Sequence, residues 1–83
     1  MADQRIRRQI AIIAARLMSL QPQPENLAAL EPLLEDPDPE VAGAARKALR
    51  HQWRTPAWHQ TVERLVRSDD PALRETAEAL LRG

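Results

Sequence analysis

The chain contains no cysteine, no phenylalanine and no tyrosine, and only two tryptophans and two glycines among its 83 residues. Without cysteine there is no disulfide framework, no thiolate metal site and no thiol nucleophile, and a reducing compartment suits such a chain. With so few aromatics, a core must be built from Leu, Ile, Val and Ala, whose modest size favours closely packed helices. Gly43 and Gly83 are the only glycines, so no glycine-rich phosphate loop exists. No segment alternates apolar with polar residues over a strand's length, so no β-sheet is expected. The longest unbroken apolar run, Ile10 to Ala15, is too short to cross a bilayer. Arg16 ends that run behind a basic start, which makes a poor signal peptide. Twelve basic and twelve acidic residues sum to zero net charge, so no global field draws the chain to nucleic acid or membrane. The expectation is a soluble cytoplasmic protein that makes no membrane contact.

What the chain does contain is a repeat. Leu30 to Leu49 returns loosely as Val62 to Leu81 at an offset of 32 residues. At that offset Pro24, Asp38, Pro39, Ala45, Leu49 and Arg50 meet Pro56, Asp70, Pro71, Ala77, Leu81 and Arg82. A fixed period in this range marks stacked two-helix units.

Periodicity and turn chemistry place five helices. The first spans 3–20, with Ile6, Ile10, Ile13, Leu17 and Leu20 on one stripe, the pattern of a core-facing side. Ile12 and Met18 fall on opposite flanks of that stripe. The prolines of Gln21-Pro22-Gln23-Pro24 break the helix. A second helix over 24–35 turns Leu27, Leu30, Leu33 and Leu34 inward, with a bend or break expected near residues 28–32 because Pro32 lies inside it. Asp38 caps a third helix over 39–51, with Pro39 at its first position. That helix turns Val41, Ala44, Ala45, Ala48 and Leu49 inward. Thr55-Pro56 starts a fourth helix over 56–67, with Val62, Leu65 and Val66 inward. Asp70-Pro71 starts a fifth over 71–82, with Leu73, Thr76, Ala77, Leu80 and Leu81 inward. The connections are short, so sequential helices should pack antiparallel. The chain thus divides into a leading helix (3–20), one hairpin (24–51) and a second (56–82) within one all-α domain, 1–83.

Leu33-Leu34, Asp36 to Val41, Ala44-Ala45 and Ala48-Leu49 resemble HEAT repeats of the short bacterial kind. Leu65-Val66, Asp70-Pro71, Leu73-Arg74, Ala77 and Leu80-Leu81 repeat the pattern. The copies depart from it at Ala42, where the family favours arginine, and at Thr76, where it favours alanine. The resemblance implies an α-α superhelix used for protein-protein interaction or scaffolding, with no cofactor. Members of the short bacterial class also serve as accessory bilin lyase subunits. Two hairpins are fewer than the three or so repeats usually needed, so either the end helices seal the stack or another surface completes it.

No catalytic signature is present. His51 and His59 have no carboxylate partner at a defensible spacing, and the hydroxyls have no nucleophile-base arrangement. Helices one, three and five carry +3, +2 and zero, and the rest of the chain carries −5. In a HEAT-like stack Arg5, Arg8, Arg16, Arg46, Lys47, Arg50, Arg74 and Arg82 would line the inner side. A basic face there suits an acidic peptide or nucleic-acid phosphates. Several of these cations sit near helix C-termini, which the helix dipole favours by itself. The expected function is a non-catalytic interaction module with a protein partner, self-associating through helix one in one version. Arg16, Arg46, Lys47 and Arg50 are the expected polar contacts, with Ile12 and Met18 as apolar ones. Trp53 and Trp58 either anchor a partner or plug the seam between repeats. The alternatives are a nucleic-acid-binding module or the accessory subunit of an enzyme.

Overall fold

Three proline-led caps set three of the helix starts. Asp38 Oδ1 accepts from the Glu40 N–H at 2.9 Å, and Asp70 Oδ1 accepts from the Ala72 N–H at 2.9 Å. Thr55 Oγ1 accepts from the Trp58 N–H at 3.1 Å. In each case proline takes the first helical position, where its missing donor is no loss. The structure, a computed structural model, describes residues 3–83 as five helices with no strand among them. These are α1 (Asp3–Leu20), α2 (Asn26–Leu34), α3 (Pro39–Arg50), α4 (Pro56–Leu65) and α5 (Pro71–Arg82). Two ends fall two residues short of expectation, and α2 and α3 each close one residue early. Pro24 and Glu25 form a turn before α2, and α4 closes at Leu65, where the Arg67 and Ser68 N–H groups donate three residues back. The helix runs unbroken through Pro32, so of the bend or break expected near residues 28–32, no break occurs. Leu30 and Leu34, both buried, hold the helix on either side of it.

The helices form two layers. α2 packs on α3 and α4 on α5 as hairpins, while α1 packs chiefly on α3. α1, α3 and α5 make one layer; α2 and α4 make the other. α1 runs parallel to α3, because both pairs of ends are tied like to like. Near the N-termini, Arg8 Nε lies 2.7 Å from Asp38 Oδ2, and the same guanidinium pairs with Glu40. At the C-termini, Gln52 Nε2 donates to the Met18 carbonyl at 2.7 Å. The core between the layers holds Leu27, Leu30 and Leu34 from α2, Ala45, Ala48 and Leu49 from α3, and Trp58, Val62 and Leu65 from α4. Leu73 and Ala77 close it from α5.

The expected orientation of α1 is wrong. Ile6, Ile10, Ile13, Leu17 and Leu20 do not enter the core: each is more than half exposed, Leu20 reaching 78%. The buried side is the opposite one. It carries Ala15, fully buried, with Ala11, Ser19 and Met18 partly covered. The reason lies in α3, whose neighbouring surface is Ala44, Ala45 and Ala48. Small residues on both helices allow close approach, which a row of isoleucines would prevent. Leu81 is a second correction, since it is exposed rather than inward. Ala42, at the position where the resembled family favours arginine, is buried.

Candidate functional site

Two adjoining surfaces of α1 stand out. The first is the stripe Ile6, Ile10, Ile13, Leu17 and Leu20, spaced 4-3-4-3 in sequence. That spacing keeps apolar side chains on one side of a helix, as in a coiled-coil seam. Because α1 sits at the end of its layer, the stripe covers the open end of the stack. Isolated exposed aliphatic side chains are ordinary, but five contiguous ones form the kind of patch that marks an interaction site.

The second is a groove of about 940 Å³ between α1 and α3, on the side away from α2 and α4. α1 supplies Ile12, Arg16 and Leu20; α3 supplies Gly43, Ala44 and Lys47. Pro39 and Glu40 close one end, Ser19 and His51 the other. The Glu40 carboxylate is already engaged by Arg8. Arg16 and Lys47 are exposed and take part in no ion pair among the described residues. The groove is therefore apolar on its floor and net positive at its edges.

The expected contact residues separate on this surface. Ile12, Arg16 and Lys47 meet in the groove. Arg46 is half-buried and reaches back toward Gly43, while Arg50 lies exposed at the end of α3. Met18 is packed against the core instead of facing out, and its carbonyl is taken by Gln52. The two tryptophans part company. Trp58 is 1% exposed and its Nε1–H donates to the Leu49 carbonyl at 3.0 Å, with the Arg54 guanidinium 4.2 Å above its ring. Trp53 is 55% exposed, so it does not plug the seam. Of the remaining basic residues, Arg8 is held by Asp38 and Glu40, and Arg74 donates to the Ser68 carbonyl.

Histidine chemistry finds no assembled site. His59 stands edge-on to Trp58, ring centres 4.9 Å apart, and His51 caps α3. Among the described residues no three His, Asp or Glu side chains gather to hold a metal ion.

Sequence reading missed Gln52. It sits just past α3, where a polar residue reads as loop, yet it is buried with every polar group matched. Besides Met18 it donates to the Ala48 carbonyl at 2.9 Å, and its Oε1 accepts from Asn26 Nδ2 at 2.9 Å. No helix is long and apolar enough to cross a membrane among the described residues. No family model, curated protein or solved structure matches this chain.

Proposed function

We propose that the chain is a non-catalytic protein-binding module, a HEAT-like two-layer stack that works as a scaffold or adaptor. The observation that carries this reading is α1: it buries alanine and presents five of its six Ile and Leu side chains to solvent. A helix that needed only to cover the core would be arranged the other way round.

The magnitude narrows the partner. Fully burying a Leu or Ile is worth about 1.5–3 kcal/mol, so covering five half-exposed ones contributes on the order of 5–8 kcal/mol. Association itself costs on the order of 4–15 kcal/mol. The stripe alone thus supports only weak, transient pairing, and a partner must add further contacts. Two copies meeting stripe to stripe would also bring together helices of net charge +3 each, which weakens the self-association version. Nucleic acid has less in its favour, because Arg8 is already neutralised by Asp38 and Glu40.

The test is selection from a displayed library of helical peptides with a fixed leucine stripe and randomised flanks. Some of the enriched clones should bind the wild-type chain and lose at least about tenfold on Ile10→Gln/Leu17→Gln. Failure of any stripe-bearing clone to enrich over a stripe-free control library would contradict the reading.

A further inference from the structure

We infer that the α1–α3 groove is a second binding site, sharing only Leu20 with the stripe, that seats an amphipathic helix with acidic edges across Gly43. The first observation is Gly43 itself. A mid-helix glycine costs stability relative to alanine, so its presence calls for a reason. The fold supplies none: a Cβ built there would meet only Arg46 Nη2, at an ordinary 3.6 Å. No neighbouring backbone or core side chain needs the space. Gly43 instead opens onto the groove, where the bare helix backbone allows an incoming helix to approach closely.

The second observation is charge. Ile12, Leu20, Pro39 and Ala44 give the groove an apolar lining, and Arg16 and Lys47 stand at its edges. Both cations are exposed and unpaired among the described residues, whereas Glu40, the groove's one carboxylate, is occupied by Arg8. An occupant that places leucines on the floor and carboxylates against Arg16 and Lys47 matches this pattern. Edge charges of this kind set partner choice and orientation. The third observation is shape. The groove is open along one side, whereas a small-molecule site encloses most of its ligand. Pro39 to His51 spans roughly 18 Å at 1.5 Å per helical residue, room for about three turns of a helix laid in a groove.

The experiment uses synthetic 18-residue peptides with one leucine stripe and flanks of Glu, Gln or Lys, measured by fluorescence anisotropy and by amide shift mapping. The Glu-flanked peptide should bind most tightly, with shifts centred on Gly43, Ala44 and Lys47. Gly43→Leu should weaken it at least tenfold, and Gly43→Ala should weaken it while raising the melting temperature. Arg16→Glu/Lys47→Glu should reverse the order of Glu and Lys flanks. Ile10→Gln/Leu17→Gln should leave the groove shifts and the order of flank charges unchanged, which separates this site from the stripe. The inference is overturned if Gly43→Leu binds as wild type does, if flank charge makes no difference, or if the shifts map only to Ile6, Ile10 and Ile13. It is equally overturned if the groove shifts appear with rising protein concentration alone, marking a second copy as occupant. A single-stranded oligonucleotide that produces the same groove shifts at lower concentration than the peptide also overturns it.

Discussion

Gln52 donates to the Met18 carbonyl across 34 residues of sequence, at 2.7 Å, and so fastens the end of α1 to the end of α3. With Ala15 as the only fully buried α1 side chain, α1 gains little from hydrophobic burial. Polar ties at its two ends add to the packing of Ala15 and Met18. Replacing Gln52 by Leu removes its bonds to the Met18 and Ala48 carbonyls, the Asn26 amide and the Gln23 N–H, at a cost of about 1–3 kcal/mol. For a domain of this size each kcal/mol lowers Tm by roughly 4–8 °C. Hydrogen exchange should accelerate in α1 more than in α5; equal acceleration in both would mean that Gln52 does not anchor α1.

Asp38 and Asp70 hold the same capping position, but only Asp38 also meets an arginine, Arg8. Asp70→Ala should cost about 1 kcal/mol as a lost cap. Asp38→Ala should cost that plus a few tenths for a partly exposed ion pair. Urea unfolding with an Arg8→Ala/Asp38→Ala cycle measures the difference; zero coupling would remove Arg8 from the ties on α1.

The two tryptophans predict a divided fluorescence signal. Trp58, at 1% exposure, should emit at shorter wavelength and resist acrylamide, while Trp53, at 55%, should be quenched readily. Trp53→Ala should change stability by less than about 0.5 kcal/mol, whereas Trp58→Ala should cost about 3–5 kcal/mol. Two equally quenched tryptophans would contradict the placement of Trp58.

Gly43→Ala should stabilise the fold by about 1 kcal/mol, since the added methyl meets only a flexible arginine tip. A loss of stability in urea would show that internal packing requires the glycine after all.

Three of the helix starts were legible because Asp38-Pro39, Thr55-Pro56 and Asp70-Pro71 fix them by local chemistry alone, whereas α2 begins two residues after the expected Pro24. The interior of the two hairpins followed from leucine and alanine spacing, which works where one side of a helix is covered. α1 failed that logic. Its periodicity locates a stripe at Ile6, Ile10, Ile13, Leu17 and Leu20 but does not say which surface meets it. The choice was made by alanines on α3, and by Gln52 and Arg8, whose partners lie some thirty residues away. The groove was half legible: Ile12, Arg16 and Lys47 were singled out by side-chain type, but their meeting depends on α1 running parallel to α3. Met18, chosen by the same reasoning, turned toward the core.

The outward orientation of α1 is best tested by urea unfolding of Ile10→Gln/Leu17→Gln beside Ala15→Asp. If the stripe lies in solvent, the double variant should unfold within about 0.5 kcal/mol of wild type per substitution. Ala15→Asp, which buries an unpaired charge, should lose several kcal/mol or fail to fold. If instead the double variant loses more than about 4 kcal/mol and Ala15→Asp is tolerated, the stripe belongs to the core and both the fold of α1 and the binding role built on it are wrong.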